Sequence, residues 1–140
     1  MFDKKFNIQH LQEISQNTMV QHLGIEFLEL GENFISAKMP VDQRTIQPMG
    51  LLHGGASLVL AETLGSVAST LLVDIKKHLC VGLEINANHI KSARNGYVFG
   101  KATPIHVGKK THVWDIKIKN DNEELVCVSR LTIAIIENKK

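Results

Sequence analysis

The stretch His53-Gly54-Gly55-Ala56-Ser57-Leu58-Val59-Leu60-Ala61-Glu62-Thr63-Leu64-Gly65-Ser66-Val67-Ala68-Ser69-Thr70-Leu71-Leu72-Val73 decides how this chain reads. Its large apolar residues spread around a helical wheel, and small residues (Ala56, Ser57, Ala61, Gly65, Ser66, Ala68, Ser69) fill the rest. A helix without a charged face is buried on most sides. One that is also rich in small residues can pack closely on a sheet or on a second subunit. The predicted helix spans 54–73.

Working outward, a short amphipathic helix is expected in an N-terminal helical segment, 1–20, where Ile8, Leu11 and Ile14 fall at helical spacing between Asn7 and Gln16. Gly24–Leu30 and Phe34–Met39 read as strands joined by the turn Gly31-Glu32-Asn33. Val41 to Leu52, with Pro48 and Gly50, reads as a loop. Four strands are expected after the helix: Leu79–Ile90, Tyr97–Ala102 (ended by Pro104), Thr111–Lys119 and Leu125–Ile136. In the third of these, Trp114, Ile116 and Ile118 alternate with Asp115, Lys117 and Lys119, the mark of a strand buried on one face. Strands gathered around one long helix indicate an α+β fold with an antiparallel sheet rather than a βαβ fold.

Composition narrows the function. At 140 residues one domain, 1–140, is expected, and 44% hydrophobic with 21% charged residues is ordinary for a globular protein. A net charge of +2 argues against a nucleic-acid binder. Glu62 and His53 interrupt the most apolar run, so no membrane span is expected. Cys80 and Cys127 form no CxxC and read as small hydrophobes of a reducing compartment. The expectation is a cytoplasmic protein. The histidines lack metal-ligand spacing with Cys, Asp or Glu, so no metal is expected.

Glu62 is the odd residue of the central helix. No Lys or Arg lies between Thr45 and Ile75, so it has no cationic partner nearby in sequence. A buried, unpaired carboxylate is costly, and such a group in an apolar cleft suits a general base or nucleophile. The bland alternative is a Glu62 that faces a solvent gap or pairs with a distant base such as Lys91 or Arg94. His53-Gly54-Gly55 stands where the helix begins, and the opening N–H groups of a helix lack internal partners. Glycines there let a ligand carbonyl approach the backbone, as an oxyanion hole requires. Glu62 lies eight residues past Gly54, about 12 Å along the axis. A site using both therefore needs two antiparallel helices, most simply from two subunits.

The block Gln47-Pro48-Met49-Gly50-Leu51-Leu52-His53-Gly54-Gly55-Ala56, followed by Leu60-Ala61-Glu62-Thr63 and Gly65-Ser66, resembles the hotdog-fold acyl-CoA thioesterases of the 4-hydroxybenzoyl-CoA thioesterase type. Val81-Gly82-Leu83-Glu84-Ile85-Asn86-Ala87-Asn88-His89, Val113-Trp114 and Ser129-Arg130-Leu131-Thr132 extend the resemblance from about Met19 to Ile136. Within the family it is most similar to the 1,4-dihydroxy-2-naphthoyl-CoA thioesterases and the proofreading thioesterases of enterobactin synthesis. The resemblance implies a curved antiparallel sheet wrapped around one long helix. It also implies homo-oligomers, in which two subunits join their sheets edge to edge and dimers pair into tetramers.

The same resemblance implies hydrolysis of acyl-CoA, with aromatic or medium-size acyl groups, to the free acid and CoA. No cofactor is implied, since CoA is part of the substrate. Glu62 would be nucleophile or general base, and Gly54 N–H would polarise the carbonyl. Gln47 and His53 would assist, and Ser66 would hold water or the acyl head group. Gly82, His89, Ile90, Lys91 and Ser92 would contact pantetheine and nucleotide, and His106, Val107, Gly108, Lys109, Lys110 and Thr111 would grip the phosphates. Lys109 and Lys110 read equally as loop-solubilising charges. Related sequences often carry Arg near Lys91 or Lys109, and lysine offers no bidentate fork. Met49, Leu51 and Leu52, with residues near Val59 and Thr63, would line the acyl pocket. A proofreading hydrolase of acyl-carrier-protein thioesters, a lyase on the same fold and a non-catalytic acyl-CoA-binding protein are the alternatives.

Overall fold

The structure is a computed structural model describing residues 1–3 and 5–140. Two short helices, α1 (Ile8–Ile14) and α2 (Met19–His22), precede the strands β1 (Glu26–Leu30) and β2 (Ile35–Pro40). The long helix α3 (Gly54–Leu71) follows, then β3 (His78–His89), β4 (Tyr97–Val107), β5 (Thr111–Asn120) and β6 (Leu125–Glu137). The six strands form one sheet in the order β1-β2-β4-β5-β6-β3, with every pair antiparallel. The α+β fold is the expected one, and α3 packs against β2, β3, β4, β5 and β6.

Small residues bring α3 onto the sheet. Leu60, Ala61, Leu64 and Ala68 are fully buried. A Cβ on Gly65 would lie 2.5 Å from a Leu131 methyl, and one on Gly100 of β4 would lie 2.8 Å from Leu64 and 3.2 Å from Leu60. Only Gly55, Glu62 and Thr70 of the helix are exposed. Trp114, Ile116 and Ile118 of β5 are fully buried beneath it.

Two expectations need correction. The N-terminal segment is two helices, not one, because Asn17 takes a left-handed φ of 60° and Thr18 caps a new start by accepting from Val20 N–H. Strand β4 does not stop before Pro104 but continues to Val107. Beyond Ala102, β2 has ended, so Pro104 sits where β4 has β5 as its one strand neighbour and no ladder bond is lost. A bulge follows, between Pro104 and His106.

One polar cluster lies inside the core. Ser69 of α3 accepts from Trp114 Nε1–H at 2.8 Å and lies 3.0 Å from His112 Nδ1. All three residues are buried. Burial holds the His112 imidazole below its ordinary range, against a smaller opposing effect of the Gly108 backbone.

Ser69→Ala is expected to cost about 1–3 kcal/mol, because it leaves two buried groups without their partner; urea unfolding followed by Trp114 fluorescence measures it. The His112 shift has a defined sign. The unfolded chain takes up this proton at higher pH than the fold does, so the contribution is complete above about pH 6.5 and is lost as pH falls through the depressed folded value. Unfolding free energies measured from pH 7.5 to 5 should fall less steeply in His112→Gln than in the wild type.

Candidate active site

The loop before α3 is built to present its residues. Thr45 Oγ1 donates to the Pro40 carbonyl at 2.7 Å, and His53 N–H donates to the Thr45 carbonyl at 2.8 Å. Gln47 N–H bonds the Leu51 carbonyl and Gly50 N–H bonds the Gln47 carbonyl, closing a tight turn. Gly50 has φ 78°, which glycine adopts without strain. The Gln47 side-chain oxygen accepts from Met49 N–H, which leaves its NH₂ group as the donor free for a ligand.

The start of α3 has one unanswered donor. His53 caps the helix: its Nδ1 accepts from Gly55 N–H at 2.8 Å. The Ala56 and Ser57 N–H groups both turn to the His53 carbonyl, at 3.0 and 3.3 Å. Among the described residues, Gly54 N–H has no partner. It therefore keeps both its hydrogen and the positive end of the helix dipole for a ligand.

Gly54 opens into a cavity of about 250 Å³, whose lining includes Gln47, His89, Ile90, Lys91 and Ser92. With Leu51 and Leu52, eight residues expected from the sequence thus meet at one place. The His89 ring lies so close over Gly54 that a Cβ there would be 2.8 Å from Nε2, which is why this position is glycine. Leu52 N–H donates to the Ala93 carbonyl at 2.7 Å and ties the loop to the segment after β3. Leu51, Leu52, Ser57, Ala93 and Val126 complete the lining. The sequence reading missed Ser57, although it lies one turn past Gly54. It also missed Ala93 and Val126, which no local pattern marks.

Glu62 is elsewhere. It is exposed in the single chain, and among the described residues it has no ion-pair partner. Of the two alternatives left open by the sequence, one chain therefore shows the solvent-facing Glu62, and Lys91 is paired with Glu124 instead. Glu62 lies across Gly82 of β3, where an added Cβ would sit 2.6 Å from Oε1. Ser66 follows one turn later, half-buried. Met49 is at the tip of its loop, 74% exposed, and does not line the cavity with Leu51 and Leu52.

The segment His106–Thr111 is the end of β4 and the tight turn into β5, closed by Gly108 N–H to the Thr111 carbonyl at 2.9 Å. The His106 ring packs over Gly108, and Lys109 and Lys110 are exposed. In the sheet register Thr111 lies opposite Ala134, which lies opposite Val81, whereas His89 lies opposite Cys127. Val81 and His89 are eight residues apart on β3, about 26 Å at strand rise. The two segments expected to bind CoA therefore stand at opposite ends of one chain's sheet.

The sequence profile of the thioesterase superfamily matches residues 49–127, and the chain belongs to that superfamily. It is 47% identical over 136 residues to the 1,4-dihydroxy-2-naphthoyl-CoA hydrolase of Escherichia coli K12, which covers 97% of this chain and 99% of that one. It is 42% identical to the proofreading thioesterase EntH of Cronobacter turicensis, over 97% of this chain and 98% of that one. The crystal structure of a mutant thioesterase from Pseudomonas aeruginosa matches with a TM-score of 0.96 at 45% identity, covering 98% of this chain and 99% of that one. The fold is the hotdog fold, and the protein is a thioester hydrolase. None of the helices among the described residues is long and apolar enough to cross a membrane.

Proposed function

We propose that this protein hydrolyses acyl-CoA thioesters of aromatic or medium-size acyl groups, 1,4-dihydroxy-2-naphthoyl-CoA among them, to the free acid and CoA. The observation that carries this reading is the unpartnered Gly54 N–H at the start of α3, facing a cavity with Gln47 and His89. The thioester carbonyl accepts from Gly54 N–H, and the helix end stabilises the negative charge that grows on that oxygen in the transition state. Glu62 either takes a proton from the attacking water or attacks the carbonyl carbon itself. In the first case hydroxide adds, the tetrahedral oxyanion collapses, and the CoA sulfur leaves and is protonated. In the second the CoA thiolate leaves from an acyl–Glu62 anhydride, and water cleaves that anhydride to the free acid and the Glu62 carboxylate. The chemistry uses no cofactor beyond the CoA of the substrate, and the cytoplasm supplies acyl-CoA.

Glu62 and Gly54 of one chain are about 12 Å apart along α3, so the reading requires two copies. Strand β3 is one of the two edges of the sheet, with Leu79, Val81 and Leu83 exposed. Its register supports one pairing. Leu83 is the extra residue of a bulge between Gly82 and Glu84, so Gly82 shares the helix face with Ile85, Ala87 and His89. With Asn86 opposite Asn86 of a second copy, Ile85 faces Ala87 and Glu84 faces Asn88. The bulge then sets Gly82 opposite His89 of the second copy. Glu62 lies over the first and Gly54 under the second, so the pairing completes the site. It also carries the His106–Thr111 turn towards Ile90–Ser92 of the second copy.

Release of CoA is measured with a thiol reagent over a panel of acyl-CoAs and an acyl-carrier-protein thioester. Glu62→Gln is expected to lower kcat by about 10²–10⁴-fold. Full activity in this variant would remove Glu62 from the mechanism. Mixing unfolded and co-refolded Glu62→Gln and Gln47→Ala chains should restore roughly a quarter of wild-type sites, because half the random dimers hold one intact site. No recovery would place the site within one chain.

A further inference from the structure

Lys91, the cation at the Gly54 cavity, is already engaged. Its Nζ donates to Glu124 Oε2 across thirty-three residues of chain. The acid is held in place from the other side. Asn120 Nδ2 donates to Glu124 Oε1 at 3.1 Å, and Asn120 Oδ1 accepts from Glu124 N–H at 3.0 Å. The backbone brings the two segments together as well, since the Val126 carbonyl accepts from both Ile90 and Lys91 N–H. The carboxylate is thus fixed on the β5–β6 turn, while the ammonium sits on a flexible stem. Lys91 lines the cavity. The Glu124 carboxyl is held below its ordinary range by the Lys91 contact first and the Asn120 bond second.

We propose that Glu124 is a specificity-determining residue that competes with the phosphates of CoA for Lys91. The inference rests on the reading of Lys91 as a contact to the CoA nucleotide, whose phosphates need cations at Ile90-Lys91-Ser92 as well as at the His106–Thr111 turn. A phosphate arriving at Lys91 must either displace the carboxylate or settle beside a second negative charge. Both raise the KM for phosphate-bearing thioesters. A thioester on a short uncharged carrier meets neither obstacle. Glu124 therefore biases the enzyme away from substrates whose affinity comes from carrier charge, and leaves more of the discrimination to the acyl group. The pair is partly exposed, with side chains 51% and 41% accessible, so the effect is moderate.

The test compares benzoyl-CoA with benzoyl-N-acetylcysteamine, which carries the same acyl group and no phosphate. Glu124→Gln keeps the shape and the Asn120 contact but removes the charge. It should lower the KM for benzoyl-CoA by about two- to five-fold, with kcat and the KM for benzoyl-N-acetylcysteamine unchanged. The effect should vanish in a Lys91→Ala background, and Glu124→Ala should reproduce it if the Gln variant folds poorly. Lys91→Ala that raises the KM for benzoyl-CoA while Glu124→Gln leaves it unchanged would overturn the competition and keep Lys91 as a phosphate contact. Equal changes for both thioesters in Glu124→Gln would also overturn it, as a structural effect of the turn. If Lys91→Ala alters neither KM, the underlying reading of Lys91 falls, and the inference with it.

Discussion

The close seating of α3 on the sheet governs the rest of this molecule. Gly65 lets a Leu131 methyl approach the helix, and Gly100 lets Leu60 and Leu64 approach the strand. Without those two glycines the helix would stand further off, and everything that depends on its ends would move. The same seating places Gly54 under the His89 ring and Glu62 over Gly82. Two more glycines answer those contacts, so the positions that carry chemistry are held as tightly as those that carry the core. Dense packing transmits such a requirement, because interiors have few voids to absorb a shift.

The entry to α3 shows how local hydrogen bonding makes a reactive feature. His53 uses its side chain for Gly55 and its carbonyl for Ala56 and Ser57. The remaining donor, Gly54 N–H, is left at the cavity. His53 was expected to work near the thioester itself; in the structure its Nδ1 is taken up by the capping bond, and its side chain is not part of the cavity lining. Gln47 is arranged in the same manner, its oxygen held by Met49 N–H and its NH₂ left over. In both cases a group becomes available because its neighbours are satisfied.

Strand β3 organises the other half of the argument. It is a twelve-residue edge with exposed apolar side chains, the kind of edge that proteins cover or pair. Its bulge changes which residues share the helix face, and without it Gly82 and His89 would point to opposite sides. The His89–Ser92 and His106–Thr111 segments are separated along this strand, as Gly54 and Glu62 are along the helix, and the proposed pairing of two copies closes both gaps. The thioesterase superfamily membership agrees with the same motif block from Gln47 to Ser66.

Much of this was legible in the chain because it is written locally. The alternation at Trp114, Ile116 and Ile118 specifies a strand buried on one face, and the uncharged run after His53 specifies a buried helix. Gly54 and Gln47 were visible as motif residues, and the eight-residue gap to Glu62 already implied two helices. What the tertiary structure decided involves residues that meet only on folding. Pro104 is tolerated inside β4 because β2 has ended, a fact of register and not of propensity. Glu62 is exposed in one chain because α3 turns it towards Gly82 on the edge strand β3, where no cation pairs with it among the described residues. In sequence Lys91 offered itself as a partner of Glu62 or a contact to CoA, but its partner is Glu124, thirty-three residues away, and only the β5–β6 turn brings it there. Periodicity and capping act over a few residues and can be read directly, whereas charge pairing and strand register depend on chain segments that the fold alone makes neighbours.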